Sequence, residues 1–219
     1  MRNAILSPPM QGYRMRLLHR HSYGFAIAAM CALLSCNDAT SPQTRADGDP
    51  RLLHVTYDAP ALATTQASFY AVKGQAAGVD IWYHARPGRT DSLKFLAFRM
   101  GPSSLDRRPD GSVIAPGDSV LITLSVTDPT HLKIESEPSG LRFASSDPPT
   151  LRLFWVACGE DLNYDGVVDA NDAAIAQQLS IWRQEGAGQP WLKVSSVADP
   201  GLKQVSAPLS GFTGYAISY

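Results

Sequence analysis

The chain has 219 residues, of which 44% are hydrophobic and 18% charged, so it can bury a core and is not globally disordered. Residues 1–35 carry four arginines and no acid, while the remainder holds 15 basic and 20 acidic side chains, a net charge of −5. A mildly acidic body lacks the basic surface that nucleic-acid binding needs, so nucleic acid is excluded as a partner.

Residues 1–36 carry the pattern of an export signal. Three arginines between residues 14 and 20 precede an apolar run from Tyr23 to Leu34. The run is shorter than the roughly 20 residues that span a bilayer, but it has the length of a signal-peptide core. It ends in Leu33-Leu34-Ser35-Cys36, which resembles the lipobox of bacterial lipoproteins. A buried N-terminal helix that ends in Cys is the alternative. Within the signal-peptide interpretation, the start of translation is open between Met1 and Met15.

The lipobox resemblance implies a lipid-anchored protein. Residues 1–35 would be removed as the signal peptide, and Cys36 would carry the lipid and become the first residue. Fatty acyl chains such as palmitate would complete the anchor, since two or more chains hold a membrane stably. The implied location is the bacterial cell envelope, at the outer membrane or cell surface. Residues 36–50 are polar and predict a flexible tether.

Residues 51–219 are predicted to form a mainly β domain. Val120, Ile122, Leu124 and Val126 alternate with polar residues, as on a half-buried strand. Turn residues separate many such runs, and this favours an antiparallel β-sandwich. The other predicted strands are Leu52–Tyr57, Ala67–Val72, Val79–Tyr83, Leu93–Phe98, Leu132–Glu135, Leu151–Val156, Trp191–Val194, Val205–Leu209 and Tyr215–Tyr219.

Three short segments are more specific than this alternation. They are Ser139-Gly140-Leu141-Arg142-Phe143, residues 148–153, which read PPTLRL, and residues 211–216, which read GFTGYA. Together they resemble the β-sandwich domain of zonula occludens proteins, netrin receptors and ankyrins, over residues 65–219. That resemblance implies an interaction or assembly module without catalysis. Any immunoglobulin-like sandwich is the alternative.

Residues 161–172 have the ligand spacing of an EF-hand calcium loop. Oxygen-bearing side chains occupy loop positions 1, 3, 5, 9 and 12, and Gly166 at position 6 permits the sharp bend. Calcium is a hard cation that takes six to eight oxygen ligands, and acids at alternate positions converge as the chain curls. The predicted Ca²⁺ ligands are Asp161, Asn163, Asp165, the Val167 carbonyl, Asp169 (through a water) and Asp172. Val168 is predicted to turn inward as an apolar anchor.

The ending of this loop, with Asp rather than Glu at position 12 and Ala173-Ala174-Ile175 after it, resembles a dockerin repeat. Dockerins carry two such repeats and this chain carries one, so only ion binding is implied, and cohesin docking is not. The expected affinity is that of an extracellular site, with Kd on the order of 10⁻⁴ to 10⁻³ M. A solvated acidic turn without metal is the alternative.

The segment after the loop allows two structures. Ile175, Leu179 and Trp182 would share one face of a longer helix. Alternatively, a short helix precedes a hairpin that pairs residues 179–183 with 191–194 through Gly186-Ala187-Gly188. The hairpin is favoured, because the tryptophans on its two arms could pack across it.

The sequence offers no catalytic motif. It has no G-x-S-x-G elbow, no H-E-x-x-H pair and no Gly-rich phosphate loop. Once Cys31 is removed and Cys36 lipidated, Cys158 is the one remaining cysteine and predicts a small buried residue. The function expected is non-enzymatic, with an unknown protein or glycan as partner. A carbohydrate-binding module is the alternative, suggested by the aromatics Trp82, Tyr83, Trp155, Trp182 and Trp191.

Replacement of Cys36 tests the lipid anchor. We expect Cys36→Ala to abolish incorporation of a fatty-acid analogue, because the thioether forms on that sulfur. Metabolic labelling of the full-length protein measures it, with Cys31→Ala as the matched control that keeps its label. Label persisting on the Cys36 variant would contradict the lipoprotein interpretation.

Overall fold

A computed structural model describes residues 50–86, 88 and 92–219. The predicted signal peptide, the lipidated Cys36 and the tether up to residue 49 lie outside the described residues. Thirteen strands are present in the described part of the chain. They are β1 Gln66–Val72, β2 Ala77–Trp82, β3 Lys94–Met100, β4 Leu105–Arg107, β5 Ser119–Asp128, β6 Lys133–Glu137, β7 Arg142–Phe143, β8 Thr150–Phe154, β9 Ser180–Gln184, β10 Trp191–Lys193, β11 Val197–Asp199, β12 Gln204–Pro208 and β13 Gly214–Ser218.

The strands form two main antiparallel sheets packed as layers, so the predicted β-sandwich is confirmed. The six-stranded sheet has the order β1-β5-β6-β13-β9-β10, and the five-stranded sheet has the order β11-β12-β8-β3-β2. Strands β4 and β7 make a separate two-stranded ribbon. The described helical segments are α1, Ala170–Gln178, and a 3-10 turn, Val156–Cys158. Both lie in the connection between β8 and β9, which carries the chain from the five-stranded sheet to the six-stranded sheet.

The core lies between the sheets and follows from the alternation of apolar residues. On β5, Val120, Ile122, Leu124 and Val126 are buried, while the residues between them are exposed or half-buried. Opposite β5, the inner face of the five-stranded sheet is formed by leucines, valines and aromatics of β3, β8 and β12. The Phe98 ring on β3 lies 6.3 Å from that of Phe69 on β1 and so joins the two layers. Burial of these faces is the main stabilising term of such a fold.

The predicted hairpin after the acidic loop is confirmed, and the longer helix is not. α1 ends at Gln178, and β9 pairs with β10 in antiparallel register. The two tryptophans are not directly paired across the hairpin, because Trp182 lies opposite Lys193 and Trp191 opposite Gln184. The Leu52–Tyr57 run is also not a strand. It contributes one isolated bridge, from Leu52 to Ser218 on β13.

None of the helices formed by residues 50–86, 88 and 92–219 is long and apolar enough to cross a membrane.

Two leucines on β5 test the assignment of its inner and outer faces. Leu124 is 1% exposed and Leu121 is 48% exposed, so the same truncation removes very different buried area. We expect Leu124→Ala to lower the free energy of unfolding by about 2–5 kcal/mol. Leu121→Ala, the matched control, should cost less than about 1 kcal/mol. Urea unfolding of the full-length protein measures both, and equal losses would mean that the two faces are assigned wrongly.

Candidate functional site

The acidic loop 161–172 lies in the β8–β9 connection, and its last three residues form the first turn of α1. Its first half is curled by side-chain bonds to the backbone. Asp161 Oδ2 accepts a hydrogen bond from the Gly166 N–H at 2.8 Å, and Asn163 Oδ1 accepts one from the Asp165 N–H at 2.9 Å. Asp165 Oδ1 accepts from the Val167 N–H at 2.8 Å. Gly166 sits at a φ of 87°, the left-handed region in which glycine is unstrained. The predicted early ligands therefore lie on one short curled segment.

The second half of the loop is organised by Asp172, which is 3% exposed. Its Oδ1 accepts from the Leu162 N–H at 2.7 Å and the Asn163 N–H at 3.2 Å, and its Oδ2 accepts from the Asp169 N–H at 2.9 Å. Asp169 caps α1 and accepts from the Asn171 N–H at 2.7 Å. Its side chain also accepts from the Asp172 N–H, so the two aspartates form a reciprocal capping box. One carboxylate thus ties the start of the loop to its end.

The same hydrogen bonds set the protonation of Asp172. The bond from the Asp169 N–H is the largest influence, and the bonds from Leu162 and Asn163 act in the same direction. Together they hold the pKa of Asp172 below its usual range, against the effect of burial. The carboxylate is therefore ionised at neutral pH and carries a full negative charge inside the loop.

One carboxylate oxygen of the loop is left over. Asp161 Oδ1 is buried and has no hydrogen-bond partner among the described residues. The carboxylates of Asp165, Asp169 and Asp172 are turned toward backbone N–H groups, and the described residues contain no ready-made cluster of three or more His, Cys, Asp or Glu side chains that could hold a metal. The loop as it stands is an acidic turn held by its own amides, with a single unsatisfied buried oxygen.

The predicted inward position of Val168 is wrong. Val168 is 65% exposed, and its neighbour Val167 is 59% exposed. The side chain from this loop that enters the core is Leu162, which is 3% exposed. Val168 instead lines a surface cleft beside Trp155 and Ala176, where most of its side chain stays in contact with solvent.

Tyr164 attaches the loop to a distant part of the chain, and sequence reasoning missed this contact. Its hydroxyl accepts from the His54 N–H and donates to the His54 carbonyl oxygen at 3.2 Å. The rings of Tyr164 and His54 meet edge to face at 5.1 Å, and the His131 ring lies 4.2 Å from the His54 ring. Burial raises the pKa of Tyr164 to about 12, so the hydroxyl is protonated at neutral pH. The one sequence signal for this contact was the aromatic residue Tyr164 between the predicted ligands Asn163 and Asp165.

Most of the aromatics proposed for sugar binding are buried. Trp155, Trp182 and Tyr83 are 2%, 4% and 3% exposed. Trp82 is 38% exposed, but the Lys94 ammonium lies over its ring at 4.4 Å. The predicted burial of Cys158 is confirmed at 1% exposure, and this burial raises the pKa of its thiol to about 12. These side chains therefore serve the core more than any surface site.

Comparison of the chain with protein-family models, with curated proteins and with solved structures finds no match. The resemblance of residues 161–172 to a dockerin repeat and that of residues 65–219 to the netrin-receptor and ankyrin sandwich therefore stay predictions. Function has to be inferred from the contacts of the residues themselves.

The lowered pKa of Asp172 predicts an acid-sensitive loop. A carboxylate whose pKa is lower in the folded than in the unfolded chain stabilises the fold above the unfolded value of about 3.9, and this stability is lost as pH falls through the folded pKa. We expect Asp172→Asn to flatten the fall in melting temperature below about pH 4. Thermal melts of full-length protein in metal-free buffer measure it. Asn171→Ala, the neighbouring control, should keep the wild-type slope, and parallel curves for wild type and Asp172→Asn would refute the assignment.

Proposed function

We propose that this protein is a lipid-anchored component of the bacterial cell envelope, whose β-sandwich is a non-enzymatic interaction or structural module stabilised by one calcium ion. The lipid anchor at Cys36 is proposed from the lipobox pattern. The calcium site is proposed at loop 161–172, with Asp161, Asn163, Asp165, the Val167 carbonyl, Asp169 and Asp172 as its ligands.

The observation that carries the calcium proposal is the unpartnered Oδ1 of Asp161. Burial of a carboxylate oxygen without a hydrogen bond costs free energy, and such unpartnered oxygens are rare in native proteins. It stands at position 1 of the ligand pattern, on a loop that also carries Asp165, Asp169 and Asp172. A bound cation would satisfy this oxygen and would offset the repulsion between the four carboxylates.

The position of the loop suggests a structural role for the ion. The loop joins a strand of one sheet to a strand of the other, so fixing it fixes the crossing between the layers. The core between the sheets takes only Leu162 from the loop, and the sandwich should therefore remain folded without calcium. This supports an ion that stabilises locally, in the manner of weak extracellular sites.

A carbohydrate-binding module is the less supported alternative. Three of its five candidate aromatics are buried, which removes the open row of rings that sugar stacking needs. Trp191 lines a cleft of about 440 Å³ on the six-stranded sheet, together with Glu135, Glu137 and Glu185. One half-buried tryptophan among carboxylates is not a stacking platform.

Calcium should raise the melting temperature of the full-length protein in a reversible way. At about 100 times Kd the ion contributes about 2.7 kcal/mol by binding the folded state. For a domain of this size that corresponds to roughly 5–10 °C. Differential scanning calorimetry in stripped buffer, with and without added calcium, measures the shift.

Three variants connect this shift to the loop. Asp161→Ala and Asp172→Ala should abolish the calcium response, while Asn171→Ala, a non-ligand position in the same loop, should keep it. A wild-type melting temperature that calcium leaves unmoved would show that the loop is only an acidic turn.

A further inference from the structure

The residues at which the chain enters the sandwich, Arg51–Thr56, are here called the entry segment. They make no regular strand, but the two ends of the segment are held by several separate contacts. The Arg51 carbonyl accepts from the Ser218 hydroxyl at 2.7 Å, and the buried Leu53 donates its N–H to the Ile217 carbonyl at 3.4 Å. The Thr56 N–H and hydroxyl both donate to the Ala157 carbonyl, at 2.9 and 3.1 Å.

Between these ends the acidic loop holds His54. The Tyr164 hydroxyl accepts a hydrogen bond from the His54 N–H and donates one to the His54 carbonyl. These are the two backbone groups that a neighbouring strand would otherwise pair. The Tyr164 and His131 rings each contact the His54 ring edge to face, while His54 remains exposed. Tyr164 therefore substitutes for a missing strand at this point of the entry segment.

The backbone of Tyr164 makes this contact depend on the state of the loop. Tyr164 has a φ of 62°, an uncommon conformation for a bulky aromatic, which persists only where its surroundings hold it. Its two neighbours, Asn163 and Asp165, are both proposed calcium ligands, and their side chains bond to each other at 2.8 Å across it. Any ion that fixes those two side chains also fixes the direction in which Tyr164 points.

We propose that loop 161–172 is a calcium-dependent clamp on the entry segment, acting through Tyr164. The inference rests on the proposed calcium site and lipid anchor. Calcium holds Tyr164 in place, Tyr164 holds His54, and the chain arriving from Cys36 is fixed where it enters the fold. Loss of the ion would loosen the segment around His54, so the ion sets how firmly the chain is held between Leu53 and Thr56.

Hydrogen exchange of the full-length protein in detergent micelles tests the clamp. We expect calcium to slow exchange in the peptide that covers residues 52–57 by about 5-fold or more, as coupled sites commonly show. Tyr164→Phe keeps the ring but removes the hydroxyl, so it should abolish this effect on residues 52–57. The loop peptide, residues 161–172, should still respond to calcium in the variant. Tyr70→Phe, on an exposed tyrosine of β1, is the matched control and should behave as wild type.

The outcomes separate the clamp from the calcium site on which it rests. If calcium slows exchange in the loop but leaves residues 52–57 unchanged, the clamp is overturned and the calcium site stands. If Tyr164→Phe keeps the full effect at residues 52–57, Tyr164 is not the connection and the clamp is again overturned. If neither peptide responds to calcium in the wild type, the proposed calcium function itself fails.

Discussion

The carboxylate of Asp172 is the contact on which the site depends. It accepts hydrogen bonds from the beginning of the acidic loop, at Leu162 and Asn163, and from its end, at Asp169. Without this carboxylate, the two ends of the acidic loop in the β8–β9 connection would not be joined. With it, the loop is closed, α1 has its capping box, and the early carboxylates are held on a short curl. The loop is therefore shaped by its own hydrogen bonds, and calcium would bind to a preformed turn.

That arrangement explains how a weak ion site can matter in a sandwich with its own core. The apolar layer between the sheets supplies most of the stability, and the loop adds to it only locally. Tyr164 and Thr56 connect the β8–β9 segment to residues 51–56, so the proposed ion site lies beside the point at which the described chain begins.

The burial of the tryptophans bears on what kind of module this is. Trp155 belongs to the core between the sheets, and Trp182 is also enclosed although it lies outside that core cluster. Side chains of this size contribute more to stability in such positions than to recognition. The proposed partner contact is therefore better sought on polar sheet faces and loops than on an aromatic platform.

The amino-acid sequence by itself determined the strands in which apolar and polar residues alternate. It also determined the shape of the acidic loop. Alternation along β5 is a local property, and so is the closure of the loop on itself, because its internal hydrogen bonds join residues at most ten positions apart. Strands β4, β7 and β11 have only two or three residues, too few for alternation to be recognised. β11 forms beside the longer β12, and β4 and β7 pair with each other. The exposure of Val168 and the burial of Trp182 depend on which surfaces lie opposite them. The bond between Tyr164 and His54 joins residues 110 positions apart, so only the tertiary structure could decide it, because no local pattern records which segments meet when the sheets pack.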